Sequence, residues 1–513
     1  MRFILIVSFC CVLITQSAQS QHSTNTLIIY GDSARHTINK DIYGHFSEHL
    51  GRCIYGGIWV GEESPIPNTN GIRNDVATAL KKISIPNLRW PGGCFADEYH
   101  WMDGIGPRSQ RPKIVNTNWG GVTEDNSFGT HEFLNFCEAI GTEPYISANV
   151  GSGSVEEMAK WVEYVNADGE SPMANLRRKN GREKPWNVKY WGVGNESWGC
   201  GGDMRPEYYA DLYRRYAVYC RNYGDNRLFK VASGASDYDY NWSEVLMKNV
   251  GNKMNGLSLH YYTVKGWRGS KGSATNFTED EYMFILDKCL GIEPVLKKHI
   301  GIMDQYDPEK KIGLMVDEWG TWYDVEPGTN PGFLYQQNTM RDAFVAALTL
   351  NVFHKYDRIR MANIAQIANV LQSLILTNNE KMLTTPTYHV FDLYQPHKDA
   401  TFLSSDLSSE EYVLKDKKIS ALSATVSKSA DGSVHVSLVN VHPSKNINVS
   451  SVLKNLKVKT VTGRILTSGD IHDHNTFDQP NKVATKEFKQ FKLKGDQLTV
   501  EMPARSVVTL ELK

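Results

Sequence analysis

The chain has 513 residues, more than one ordinary core organises, so at least two domains are expected. Its formal net charge is −1 and it carries no basic tract, which excludes the electrostatic footprint of a nucleic-acid-binding protein. The 12 Trp and 25 Tyr offer flat faces suited to sugar rings, although packing alone also accounts for them.

At the N-terminus, Arg2 precedes an apolar stretch over 3–14 and small residues at Ala18 and Ser20. This is the layout of a secretory signal peptide over 1–20, too short to anchor in a bilayer. It predicts an exported protein, periplasmic or secreted, with no membrane segment. Cys10 and Cys11 would leave with it. The other six cysteines (Cys53, Cys94, Cys137, Cys200, Cys220 and Cys289) show no C-x-x-C spacing and allow 15 pairings. Buried thiols and disulfides are both compatible with that pattern.

The segment 21–40 holds a short strand over 26–30, followed by a Gly31-Asp32 turn. From 41 to 395, apolar runs alternate with helical segments. Strands are predicted over 42–46, 87–90, 144–150, 188–194, 229–233, 256–262, 313–318 and 358–365, and helices over 75–83, 131–140, 155–166, 206–222, 279–299 and 336–354. Such alternation implies right-handed βαβ units and a parallel sheet. Eight strands match a (β/α)8 TIM barrel. An open doubly wound sheet is the alternative, but no Gly-rich nucleotide fingerprint follows the first strand. Over 396–513 the helical period gives way to alternation, as in Ser433-Val434-His435-Val436-Ser437-Leu438, with a hairpin signal at Asp431-Gly432. This predicts a C-terminal antiparallel β-sandwich, jelly-roll-like, with which the 21–40 segment pairs. It shows no aromatic strip of the kind a carbohydrate-binding module presents.

Two runs carry the chemistry. The fourth strand ends in Gly194-Asn195-Glu196 and the seventh in Asp317-Glu318-Trp319. In a parallel barrel, chemistry is done at the ends of the strands. Either run alone favours a plain structural reading, Asn195-Glu196 as a helix start and Asp317-Glu318 as an exposed turn. Together they place two carboxylates across the mouth of a barrel, as hydrolysis of a glycosidic bond requires. His45-Phe46-Ser47-Glu48-His49 matches the inverted zinc-protease pattern H-x-x-E-H, but the preceding Ile42-Tyr43-Gly44 reads as a strand and Gly51 soon interrupts any helix, so no metal is expected.

The segments from Ile42 to Gly57, Arg89-Trp90-Pro91-Gly92-Gly93, Trp191-Gly192-Val193-Gly194-Asn195-Glu196, Asp317-Glu318-Trp319 and Met361-Ala362-Asn363-Ile364-Ala365-Gln366 resemble glycoside hydrolase family 51, the α-L-arabinofuranosidases. The resemblance runs from about residue 26 to the C-terminus. It implies Glu196 as general acid/base and Glu318 as nucleophile, with retention of configuration. It further implies that Glu48, Asn195 and Gln366 bind sugar hydroxyls and that Tyr262 bonds near the nucleophile. Trp119 and Trp322 would wall the pocket, while Arg89 and His260 would support the acids from behind. Cys94 stands where many members have Asn, so it would line the pocket as a weaker sugar contact. The implied substrates are arabinan, arabinoxylan or their oligosaccharides, cleaved without cofactor or metal by a homo-oligomer, hexameric by the same resemblance. Another retaining barrel glycosidase, an endoglucanase or β-xylosidase, is the nearest alternative, and would show an open cleft in place of a closed pocket. A non-catalytic glycan-binding protein would lack one strand-end acid, and both are present.

Overall fold

Eight parallel strands close on themselves in chain order: β1 (Gly44–Phe46), β2 (Asn87–Trp90), β3 (Glu143–Ala148), β4 (Tyr190–Val193), β5 (Phe229–Ser236), β6 (Gly256–Thr263), β7 (Gly313–Thr321) and β8 (Ile359–Ala365). The computed structural model from which this is read describes residues 25–513, so the signal-like stretch 1–20, with Cys10 and Cys11, lies outside the described residues. Closure is made by β8 on β1, where Asn363, Ile364 and Ala365 lie opposite Gly44, His45 and Phe46. Both faces of such strands are covered, which is why β1, β2, β4, β6 and β7 are buried at every position. Their apolar runs are continuous for the same reason. The lumen is filled by Tyr145, Tyr190, Val231, Met315 and Met361, which pack as a cluster of their own beneath the strand ends.

Helices cover the outside and differ from expectation in instructive ways. The helix expected over 279–299 is two, Glu279–Leu290 and Ile292–Tyr306, parted at Gly291. Pro294 has no N–H to offer the carbonyl of Leu290, so the helical ladder cannot run through. The helix expected from 336 starts at Met340, where Thr339 and Asp342 form a reciprocal cap. Pro172–Lys179, Tyr240–Val250 and Pro386–Tyr394 are helical without having been predicted, and two of them start on a proline in the first turn. The helix Met340–Phe353 is buried on every side. It is packed between barrel and C-terminal sheet, which explains its all-round apolar character.

The C-terminal sheet has ten strands. One of them is the first strand of the described chain, Thr26–Thr37, which lies between Thr401–Ser408 and Ile447–Lys454. It runs antiparallel to the former and parallel to the latter; the other neighbours in the sheet pair antiparallel. His397 ties the barrel to this sheet through Ser427 and Ser437, each at 2.7 Å. No described helix is long and apolar enough to cross a membrane.

Candidate active site

The strand ends of the barrel converge on a cavity of about 300 Å³. Glu48, Cys94, Trp119, Glu196, Tyr262, Glu318, Trp322 and Gln366 line it, all of them residues singled out in the sequence. Leu50, Gly93, Trp198, Ser236, Trp267, Leu334 and Leu371 complete the wall without having been predicted. Nothing in the sequence around them assigns them to the wall, and only the closed barrel shows that they face one space. Asn195 is 2 % exposed and is absent from the wall; its side chain turns to Arg89.

β6 and β7 set the centre of the site by register. His260 lies directly opposite Glu318 in that pair. The His260 ring meets Glu196 Oε1 at 2.8 Å and Glu318 Oε2 at 3.6 Å through Nδ1, and Asp317 Oδ1 at 3.3 Å through Nε2. Burial alone would lower its pKa, but the charges of Glu318, Asp317 and Glu196 push it up to about 10. His260 is therefore an imidazolium held among three carboxylates. Arg89, on β2, is the second buried cation. Its Nη1 donates to Glu318 Oε1 at 2.8 Å, its Nη2 to Asn195 Oδ1 at 2.6 Å and its Nε to Ser147 Oγ at 3.0 Å. Tyr262 donates to the other oxygen of Glu318 at 2.8 Å. Both oxygens of Glu318 are thus fixed by donors, which orients the carboxylate.

An oxygen of Glu196 and an oxygen of Glu318 lie within 4.8 Å of each other. Burial raises the Glu196 carboxyl above its ordinary pKa; the His260 hydrogen bond opposes this and the Glu318 charge adds to it. Burial would also raise Asp317, but Arg89 and His260 hold it below the usual carboxylate range. Asp317 is therefore ionised beneath the site, where Tyr145 donates to it at 2.8 Å. At the far wall, Glu48 is pushed up to about 7 by burial and then by the Glu318 charge. It accepts from Phe95 N at 3.1 Å, Trp119 Nε1 at 2.9 Å and Gln366 Nε2 at 3.2 Å. Gly93 lets the backbone approach here, since a Cβ would lie 3.1 Å from Glu48 Oε1 and 3.3 Å from Glu318 Oε1.

Cys94 reaches the pocket wall with its sulfur bonded to Cys200, the one disulfide among the described residues, while Cys53, Cys137, Cys220 and Cys289 are buried free thiols. Cys200 Sγ stands 3.5 Å from Glu196 Oε2. Two groups of potential metal ligands occur among the described residues, Cys94–Glu196–Cys200 and Glu196–His260–Glu318. Neither suits a metal as it stands, because the sulfurs are tied to each other and the imidazolium has no free lone pair. The histidines of the H-x-x-E-H pattern go to separate places. His45 packs against Phe391 at 4.7 Å, and His49 bonds Glu124 at 2.8 Å.

With this geometry in place, the comparisons with known proteins are specific. Residues 79–282 match the α-L-arabinofuranosidase 1 domain and residues 317–506 the α-L-arabinofuranosidase C-terminal domain. The intracellular exo-α-L-arabinofuranosidase of Bacteroides ovatus is 61 % identical over 515 aligned residues, covering 100 % of each chain. The crystal structure of the glycoside hydrolase family 51 arabinofuranosidase from Xanthomonas axonopodis pv. citri superposes with a TM-score of 0.94 at 49 % identity, over 95 % of this chain and 100 % of that one. The α-L-arabinofuranosidase of Thermotoga maritima, solved as an arabinose complex, does so at 0.81 and 30 % identity, over 95 % and 99 %. The Bacteroides relative corrects one expectation. It is called intracellular although its alignment covers this whole chain, which overturns the prediction of a secreted or periplasmic protein. Charge, apolar run and small residues over 1–20 describe a composition, and a composition alone does not establish export.

Proposed function

The chain belongs to the α-L-arabinofuranosidases of glycoside hydrolase family 51 and is an exo-acting enzyme of that group, and from this premise we propose that it releases terminal arabinofuranose by double displacement with retention. The observation that carries retention is the approach of Glu196 and Glu318 to within 4.8 Å. Oxygens that approach this closely belong with the about 5–5.5 Å carboxyl spacing of retaining sites and not with the about 6.5–9.5 Å that inverting sites need to seat a water. In this reading Glu318 attacks the anomeric carbon while Glu196, its pKa raised by burial, protonates the departing oxygen. When Glu318 becomes an ester, its charge disappears and the Glu196 carboxyl is no longer held up by it. Glu196 then ionises and draws a proton from the incoming water. Arg89 and Tyr262 orient Glu318 through one oxygen each. The oxygens of Glu48 serve the sugar hydroxyls, with Gln366 beside them, and Cys94, Trp119 and Trp322 serve as wall. Asn195 stands just behind that wall with its oxygen held by Arg89, so the sugar contact expected of it would have to come from its amide nitrogen, which faces Cys200 Sγ at 4.0 Å.

Its substrates are arabinose-containing glycans. A cavity of about 300 Å³, at the small end for ligand sites, favours an exo enzyme taking one terminal sugar from arabinan, arabinoxylan or their oligosaccharides. The same reading treats 41–395 as the catalytic barrel and 396–513 as an accessory domain completed by the 21–40 segment. Assembly into a homo-oligomer rests on family resemblance, and sedimentation equilibrium tests it.

Substitution at the two acids tests the mechanism. Glu318→Ala should lower turnover about 10⁴-fold or more on every substrate. Glu196→Ala should spare the first step on activated aryl arabinosides and turn over faster with added azide, giving an arabinosyl azide of retained configuration by NMR. An azide product of inverted configuration from Glu196→Ala would reverse the two assignments.

A further inference from the structure

Asp97 lies off the pocket wall and is 2 % exposed. It follows the Pro91-Gly92-Gly93 turn after β2, in the short helical turn Cys94–Asp97. Its carboxylate collects three main-chain N–H groups from two other strand-end loops. Oδ1 accepts from Val150 and Gly151, each at 2.8 Å, and Oδ2 accepts from Asn195 at 3.0 Å. Its main-chain oxygen accepts from Ser152 N at 3.0 Å and Ser152 Oγ at 2.9 Å. Glycines admit this approach: a Cβ on Gly151 would lie 2.8 Å from Asp97 Cβ, and one on Gly201 would lie 2.8 Å from Asp97 Oδ2. Three converging donors call for an acceptor at each position; burial pushes the Asp97 carboxyl up to about 7, and the three N–H bonds work against that rise in favour of the ionised, acceptor-only form.

The tie to Asn195 N falls within a turn that has little conformational freedom. Gly194 has φ +85° and Glu196 has φ +39°, the left-handed region that non-glycine residues avoid. Such a residue persists only where its surroundings over-determine it. Around Glu196 the determinants are the Asp97 bond on one side and, on the other, Ser197 N donating to Ser233 Oγ at 3.2 Å and Gly199 N donating to Glu196 O at 2.7 Å. The Cys94–Cys200 disulfide joins the same two loops covalently.

We propose that Asp97 is the positioning residue of the acid/base: by pinning Asn195 N it holds the Gly194–Glu196 turn in its left-handed form and aims the Glu196 carboxyl at the glycosidic oxygen. The proposal rests on the reading of Glu196 as acid/base. It separates Asp97 from a merely structural carboxylate by leaving-group dependence. A dinitrophenolate departs without a proton, whereas an alkoxide needs one. In Asp97→Asn an N–H₂ faces donors in place of an oxygen, and the turn loses its anchor. The experiment measures kcat/KM for 2,4-dinitrophenyl and methyl α-L-arabinofuranosides in wild type, Asp97→Asn and Glu196→Ala, with the disulfide checked by thiol titration. The methyl glycoside should lose about 10-fold or more beyond any loss on the aryl glycoside in Asp97→Asn. Equal losses on both substrates, or no loss, overturn the proposal. If Glu196→Ala itself shows no leaving-group dependence, the acid/base reading fails and this proposal with it; if only Asp97→Asn lacks it, this proposal alone fails. Should Asp97→Asn not fold, Asp97→Ser is assayed in the same way. Failure of both variants to fold counts against the proposal, because the carboxylate would then be holding the barrel and not the turn.

Discussion

At the scale of single residues, the site depends on an imidazolium set among carboxylates. The hydrogen bond from His260 lowers the pKa of Glu196, while burial and the Glu318 charge raise it. Removing the ring removes the lowering influence, so the acid in His260→Gln should keep its proton to higher pH. On the proposed assignment of Glu196 as acid/base, its protonated form serves the first step, and the alkaline limb of kcat/KM should therefore move to higher pH, with kcat falling as the second step loses its base. A limb that moves to lower pH would remove His260 from this role. The residues differ sharply in how far sequence reveals them. Glu196 and Glu318 are legible because a carboxylate at the end of an apolar run is unusual. Arg89, His260, Tyr262 and Gln366 are legible only through family resemblance, since a charge or amide on a strand has many uses. Asp97 is not legible at all, because it acts on main-chain N–H groups that every loop possesses.

At the scale of elements, β5 shows how an irregular strand supports its neighbour's loop. Between Ala232 and Ala235 it carries one residue more than β6 does between Leu257 and Leu259, a bulge at Ser233-Gly234. The bulge turns three groups outward: Ser233 Oγ accepts Ser197 N at 3.2 Å, Gly234 O accepts Trp198 Nε1 at 3.0 Å and Ser233 O accepts Trp242 Nε1 at 3.0 Å. Two of these bonds hold the loop that follows Glu196. A Cβ at Gly234 would lie 1.6 Å from the Ser258 carbonyl oxygen, so the backbones must separate. Gly234→Ala should cost about 2–3 kcal/mol in urea denaturation and lower kcat as Trp198 shifts. A variant as stable and active as wild type would show that the bulge is dispensable. Strand existence was readable from apolar runs, whereas the bulge was not, because Ser233-Gly234 sits in the sequence as an ordinary strand end. The break at Gly291 was readable in principle from Pro294, but the apolar period runs through both helices and outweighs it.

At the scale of the molecule, barrel and sheet are one construction. The buried helix Met340–Phe353 has barrel on one side and sheet on the other, and the strand Thr26–Thr37 lies inside the sheet, bonded along both edges. Deleting residues 26–37 would split the sheet and expose two unpaired edges, a template for association. We expect that variant to sediment as aggregates, and a monodisperse, fully active product would show that the sheet closes without it. The same placement orders events during synthesis. Thr26 pairs with Ser408 on one edge and Ser450 on the other, so the strand waits for partners made only after the whole barrel. At ribosomal speed that interval is roughly 20–80 s. Throughout it Leu27 and Ile29, fully buried in the finished protein, are exposed on the nascent chain beside a barrel still being completed. Exposed apolar surface of this kind is what makes a partly made chain prone to aggregate, and codon choices that slow translation before residue 400 would lengthen its exposure.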